Sequence, residues 1–116
     1  MILHIALAED WARAQRRGTY PWSTRGVLAS QQGFVHGCAT IEQVGAVMEA
    51  VYPDRPDVVL LQVDEAALAG HGLEVREEPG DPSDPDSELF PHIYGGPLPT
   101  RLLRPSPLPL APGEPQ

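Results

Sequence analysis

Four histidines carry most of the potential chemistry of this sequence. His4 lies within "ILHIAL", His36 within "GFVHGCA" and His92 within "FPHIYGGPLP". These segments are predicted to be strands or strand-flanking turns, where a buried imidazole is costly unless its nitrogens are paired. His71, in the glycine-flanked "AGHGL", is predicted to be exposed. One such histidine alone is best explained as a satisfied core residue, but three in so short a chain favour a shared site.

Two kinds of histidine chemistry are less well supported. Three histidines with an open coordination position can hold catalytic zinc, but the sequence contains no HxH or HExxH pair, and no metal is expected. Cys38 follows His36 by two positions, so the two side chains could share one face of a strand. Because a single buried cysteine is more often a small apolar residue, a thiol nucleophile is not favoured.

A small-molecule pocket accounts better for the polar and aromatic residues together. His4 and His36 would donate hydrogen bonds to hydroxyls or phosphates of a ligand. Tyr20, Tyr94 or Trp22 would stack on a flat ring, and the glycines of "GGP" would allow close approach of the backbone. The sequence therefore predicts a pocket for a flat, polar metabolite.

The segment "FPHIYGGPLP" presents His92 and Tyr94 on a backbone rich in proline and glycine. Proline removes a ladder donor and glycine weakens a strand. We therefore predict a rigid loop at the mouth of a cleft, with both side chains aimed inward, and Phe90 in the core. Turn packing is the alternative interpretation of the two side chains. A catalytic acid is expected at Glu88, just before the segment, with Glu78 as the alternative.

Apolar periodicity and chain breakers predict a mixed α+β domain. The first helix has acids in its first turn and arginines in its last, and Trp11 and Ala14 are expected to face the core. The second helix begins at Thr40, with Gln43 completing a capping box. The predicted order is strand 1–7, helix 8–18, irregular segment 19–32, strand 33–39, helix 40–53, strand 58–63, helical turn 64–68, strand 73–78, acidic loop 79–88 and, after "FPHIYGGPLP", an edge strand within 100–110.

Composition narrows the class of protein. The 116 residues carry a formal net charge of −8, which repels phosphates and argues against unspecific nucleic-acid binding. We predict one domain over residues 1–110 and a disordered tail over 111–116. The sequence has one cysteine, no secretory leader pattern and no apolar stretch near the ~20 residues of a membrane span. A cytoplasmic location is expected, and the composition leaves the oligomeric state open.

Four segments, "ILHIA", "DWARAQRRGTY", "GFVHGCATIEQV" and "ELFPHIYGGPLP", resemble in this order the bacterial family known as domain of unknown function 952, over residues 2–104. That family resembles a small member of the ADP-ribosyltransferase-like fold, whose members bind NAD in a cleft of a split, bent β-sheet. The resemblance implies a bent or split mixed sheet flanked by two main helices. It also implies that His4 contacts a ribose and that His36 and Thr40 help to hold nicotinamide. The acid of that group has no motif match here.

Three functional hypotheses follow. The first is a transferase or glycohydrolase-like enzyme acting on NAD or an ADP-ribose-like nucleotide, in which Glu88 stabilises positive charge on the sugar and His92 positions the substrate or acts as general acid/base. The second is a binding module that holds a nucleotide or another small metabolite without turnover. The third is a structural or interaction protein. The residues expected to bind the cofactor are His4, Tyr20, His36, Thr40 and Tyr94.

Overall fold

The computed structural model describes residues 2–106 as a mixture of short helices and strands. In chain order the elements are β1 (Ile2–Leu7), α1 (Ala8–Arg17), β2 (Thr19–Tyr20), β3 (Trp22–Thr24), β4 (Val27–Leu28), α2 (Ala29–Gln32), β5 (Val35–His36), α3 (Ile41–Val51), β6 (Val58–Val63), α4 (Glu65–Leu68), β7 (Glu74–Pro79), β8 (Leu89–Tyr94), β9 (Leu98–Pro99) and β10 (Leu103–Ser106), with single-turn 3₁₀ helices at Ala69–His71 and Thr100–Leu102.

The first sheet has the strand order β1-β6-β10, with β6 antiparallel to both neighbours. All six residues of β1 are buried, because α1 and α3 pack on opposite faces. Even-numbered positions of β1 join a core with Trp11 of α1, and odd-numbered positions join a core with Val44 of α3. His4 is an even-numbered position, so the sheet places it on the α1 face.

The second sheet has the strand order β5-β8-β7 and is also antiparallel. Its central strand β8 contains Phe90–Tyr94 of the segment that was expected to be a loop, so that prediction is wrong for these residues, while 95–97 connect β8 to β9. The proline is tolerated because β5 pairs only with His92 and Ile93 and leaves Pro91 without a ladder partner on that side. Beside it lies Gly37, where a Cβ would be 2.8 Å from the Pro91 carbonyl oxygen.

The short elements join the two sheets. The segment 19–32, expected to be irregular, forms β2, β3, β4 and α2; β2 pairs with β9, and β3 pairs with β4. An isolated bridge between Leu3 and Cys38 ties β1 to the chain after β5. It brings His4 of β1 next to His36 of β5, whose carbonyl oxygen lies 2.6 Å from the His4 ring.

The helix predictions are confirmed. In α1, Trp11 and Ala14 are buried and Gly18 ends the helix in the left-handed region at φ 86°. In α3, the Thr40 hydroxyl accepts a hydrogen bond from the Gln43 backbone N–H. The Gln43 side chain accepts one from the Ala39 N–H rather than from the backbone of Thr40, so its reach extends one residue beyond a standard capping box.

The α+β class is confirmed, while the strand pairs among residues 2–106 are all antiparallel rather than mixed, and they fall into separate small sheets. The predicted edge strand is β10, where Pro105 lies opposite Leu61. Residues 107–110 of that prediction, and the tail at 111–116, lie outside the described residues. Within residues 2–106, every helix is too short or too polar to cross a bilayer.

Candidate functional site

A cavity of about 240 Å³ lies between β1, β5, β8 and α3. Aliphatic and aromatic side chains form much of its wall, together with hydroxyl and thiol groups and three of the four histidines. Within the described part of the chain, no lysine, arginine, aspartate or glutamate lines it. The wall residues are His4, Ile5, Ser23, Thr24, His36, Gly37, Cys38, Val47, Val51, Tyr52, Gly80, Phe90 and His92.

His4 is held by two hydrogen bonds inside the protein. Its Nδ1 donates to the His36 carbonyl oxygen at 2.6 Å, and its Nε2 accepts from the Tyr20 hydroxyl at 2.9 Å. The residue is 2% exposed, and burial lowers the pKa of His4 to about 4. Burial likewise raises the pKa of Tyr20. Both ring nitrogens of His4 are therefore committed, and the residue positions β5 and Tyr20.

His36 has an uncommitted imidazole. Among residues 2–106, no hydrogen bond to its ring nitrogens is present, and the ring makes edge contacts with Phe34 and His92. Burial, and then the neighbouring His92, lowers the pKa of His36 to about 4. The ring is therefore neutral near pH 7 and offers one donor and one acceptor to a ligand.

His92 pairs with Glu78, which the sequence analysis predicted only as the alternative to Glu88 for the catalytic acid. Its Nδ1 lies 2.9 Å from Oε1 of Glu78, so Nδ1–H donates and the lone pair of Nε2 is available. The side chain is nearly fully buried, whereas Glu78 is about one-third exposed. Phe34 stacks on the imidazole with 4.0 Å between ring centroids and 13° between planes. The carboxylate and the phenyl ring together fix the orientation of His92.

Glu78 also accepts a hydrogen bond from the Tyr94 hydroxyl at 2.5 Å. The two strands explain the arrangement, because Phe90 lies opposite Glu78 and His92 is its diagonal neighbour. The hydrogen bond from Tyr94, and then the one from His92, lowers the pKa of Glu78. The hydrogen bond between Tyr94 and Glu78 also raises the pKa of Tyr94. Arg76 lies over the Tyr94 ring at 4.3 Å. The Tyr94 hydroxyl therefore binds the Glu78 carboxylate, and Tyr94 does not line the cavity.

Four of the predicted site residues lie outside the cavity wall: Tyr20, Thr40, Glu88 and Tyr94. Oε2 of Glu88 accepts a hydrogen bond from Nε2 of Gln43 at 2.7 Å, and Thr40 caps α3. Cys38 does line the wall, and burial raises its pKa to about 11, so the group is a thiol near pH 7. Phe90 is half-buried and packs against the core on the α3 side.

Sequence reasoning missed Ser23 and Phe34. Ser23 is 0% exposed, lines the cavity and carries the buried side-chain oxygen for which the described residues offer no hydrogen-bond partner. No local pattern distinguishes it from a turn serine. The segment "GFVH" shows an aromatic residue, Phe34, close to His36, but its stacking on His92 depends on β8.

Trp22, one of the residues expected to stack on a ligand ring, packs against the core instead. His71 is exposed, as predicted. Among residues 2–106, no group of three or more His, Cys, Asp or Glu side chains is placed to hold a metal ion.

The family model described as "Protein of unknown function (DUF952)" matches residues 5–103, most of the chain. The chain belongs to the DUF952 family. This DUF952 chain is similar to the crystal structure of protein CC0527 from Caulobacter crescentus, with a TM-score of 0.67, 25% identity, 90% of this chain covered and 82% of that one. A double-mutant form of CC0527 matches with the same TM-score and coverage at 24% identity. No curated protein matches this chain significantly.

Proposed function

We propose that this DUF952 chain is a transferase or glycohydrolase-like enzyme that acts on NAD or an ADP-ribose-like nucleotide, with His92 as general base. The observation that carries the proposal is the Tyr94–Glu78–His92 arrangement at the cavity wall. Glu78 fixes Nδ1–H of His92 and leaves Nε2 as the proton acceptor. A buried imidazole oriented by a carboxylate is a recurrent device of proton transfer in enzymes.

In the proposed reaction, the attacking water or acceptor hydroxyl gives its proton to Nε2 of His92. The oxygen of that water or hydroxyl bonds to the ribose C1′ as the C1′–N bond breaks, and the electron pair of the broken bond leaves with neutral nicotinamide. Glu78 stabilises the imidazolium that forms, because a nearby opposite charge favours the charged ring. His36 would hydrogen-bond the sugar or the leaving group.

The size and polarity of the cavity limit how a nucleotide could bind. At about 240 Å³ it is smaller than the ~300–1,000 Å³ of pockets for drug-sized ligands. The described residues contribute no lysine or arginine to the wall, and burying an unpaired phosphate is costly. The cavity would therefore hold the nicotinamide–ribose end, with the phosphates outside it. The ADP-ribosyltransferase-like relationship is part of this proposal and rests on the sequence resemblance.

The test uses chromatography to measure the release of nicotinamide from NAD. It compares the parent with two matched carboxylate variants, Glu78→Gln and Glu88→Gln. We expect Glu78→Gln to lower the rate by about 100-fold and His92→Asn by about 100- to 10,000-fold. Glu88→Gln should stay within about twofold. The exposed His71→Gln is the control for a histidine substitution. Loss of turnover in Glu88→Gln but not in Glu78→Gln would instead support the acid expected from sequence.

A second candidate is a nucleotide-binding module without turnover. It is favoured because none of the carboxylates among residues 2–106 lines the cavity wall. A carboxylate next to the sugar would stabilise the charge that develops there, and Glu78 lies behind His92. Thermal-shift titrations with NAD, ADP-ribose and nicotinamide separate the two functions. A saturable shift without product in the parent would support the module. If none of the three ligands shifts the melting temperature, both the enzyme and the binding-module functions are refuted, and a structural role is favoured.

A further inference from the structure

We propose that Ser23 is a ligand-binding and specificity-determining residue, whose hydroxyl pairs with a neutral hydrogen-bonding group on the buried end of the ligand. The inference rests on the proposed use of the cavity as a small-molecule site. It adds the chemical class of the group that enters: a carbonyl, amide or hydroxyl rather than a hydrocarbon or a phosphate.

The first observation is that the Ser23 hydroxyl lacks a partner. The residue is 0% exposed and lines the cavity, and its Oγ makes no hydrogen bond with the described residues. Buried polar groups in folded proteins are nearly always paired, and an unpaired one is costly. Alanine would fill this position without that cost. A ligand that supplies the missing partner accounts for the hydroxyl.

The second observation is the contrast with the neighbouring hydroxyls. Thr24 and Tyr52 also line the cavity, but Oγ1 of Thr24 lies 3.3 Å from the Tyr52 hydroxyl, which donates to the Ile5 carbonyl oxygen. These two hydroxyls are satisfied within the protein, and both nitrogens of His4 are satisfied as well. Ser23 is therefore set apart from the other hydroxyls of the wall.

The third observation is the charge of the wall. Among residues 2–106, no lysine, arginine, aspartate or glutamate lines the cavity, and burial lowers the pKa of both His4 and His36 to about 4. A phosphate or carboxylate would be buried here without a cationic partner, which is strongly unfavourable. A hydroxyl, in contrast, can donate to or accept from a neutral group. The ligand group that pairs with Ser23 is therefore neutral and polar.

Phenol and toluene are suitable probes, because they have nearly the same shape and differ by a hydroxyl in place of a methyl group. A cavity of about 240 Å³ can admit either, since a ~150 Å³ apolar cavity binds benzene. Calorimetric titration of the full chain should give a Kd for phenol about 2- to 10-fold lower than that for toluene. In Ser23→Ala the phenol hydroxyl would lose this partner, so the preference for phenol should disappear or reverse in favour of toluene.

Stability without probe supplies a second readout. Because Ser23→Ala removes an unpaired hydroxyl, its Tm should be unchanged or up to about 4 °C higher. Thr24→Val, the matched control, removes a paired hydroxyl. It should lower Tm by about 2–4 °C and keep the preference for phenol.

Each outcome decides a separate point. A preference for phenol that persists in Ser23→Ala, or a lower Tm in that variant, would overturn the role of Ser23 and leave the cavity as a binding site. Failure of the parent to bind either probe would overturn the proposal together with the small-molecule function. A preference for phenol that is lost only in Ser23→Ala supports the proposal whether or not NAD is turned over.

Discussion

Lowering the pH from 7 to 5 should destabilise this fold through His4. The unfolded chain binds a proton on this side chain below its ordinary pKa of 6.5, whereas burial keeps the folded-state pKa at about 4. A depressed histidine pKa means that the unfolded state takes up the proton first. The stability contributed by the neutral ring is therefore complete above pH 6.5 and is lost as the pH falls towards 4.

The magnitude follows from the two pKa values. Between pH 7 and pH 5, linkage gives a loss of about 2 kcal/mol for a group whose pKa falls from 6.5 to about 4. His36 has a similarly lowered pKa, but its side chain is partly exposed. Allowing about half for solvent screening adds about 1 kcal/mol. The expected total is about 3 kcal/mol, a large share of the 5–15 kcal/mol of a typical domain.

Urea denaturation at pH 7, 6 and 5 measures this loss directly, and staying at pH 5 or higher limits the contribution of carboxylates. His4→Gln removes the titrating group, so the stability difference between pH 7 and pH 5 should shrink by about 2 kcal/mol, whatever its stability at pH 7. His71→Gln, at the surface, is the control and should follow the parent. The reasoning is refuted if the parent loses less than about 1 kcal/mol, or if His4→Gln loses as much as the parent.

Two further substitutions, Gly37→Ala and Gln43→Ala, test contacts that hold other parts of the chain against β8. Gly37→Ala should lower the free energy of unfolding by about 1–3 kcal/mol, because the new Cβ would lie 2.8 Å from the Pro91 carbonyl oxygen. Thermal unfolding measures this loss. The control is Gly45→Ala, whose new Cβ would have none of the described residues within 4 Å and which should stabilise the protein by about 0.5–1 kcal/mol. A stable Gly37→Ala protein would contradict the close approach. Gln43→Ala removes three hydrogen bonds of its side-chain amide and should cost about 2–3 kcal/mol in urea denaturation; a loss under about 0.5 kcal/mol would show that these bonds contribute little.

Local signals predicted the elements that depend on neighbouring residues. The Thr40 cap, the apolar stripe of α3 and the charge pattern of α1 all act within one or two helical turns. The apolar run Val58–Val63 was long enough to require burial on both faces, and it forms the central strand of its sheet. These interactions are local or depend only on total hydrophobicity, so they can be predicted before the fold is known.

The prediction for β8 failed because proline tolerance depends on the neighbouring strand. "FPHIY" contains a residue that removes a ladder donor, and from sequence that argues for a loop. In the structure β5 spans two residues, so the ladder on that side ends before Pro91. The length of a partner strand is set by distant parts of the chain and leaves no mark on the segment itself.

The candidate site was predicted in part for the same reason. The sequence placed His4, His36 and His92 in one pocket, and all three line the cavity. The choice between Glu88 and Glu78 could not be made locally. Strand register places Glu78 diagonal to His92, while the Gln43 side chain takes the other carboxylate.

By itself, the sequence determined the α+β class, the two main helices and the buried strands, because these follow from short-range patterns and from composition. The resemblance of four of its segments also indicated the family, which the family-model match over residues 5–103 shows. The tertiary structure alone decided which histidine nitrogens are committed and which are available. It also decided that Glu78 orients His92, and that Ser23 is buried in the cavity wall without a hydrogen-bond partner among residues 2–106. Those properties depend on strand register and on contacts between residues 14 to 32 positions apart, and such contacts exist only in the folded chain.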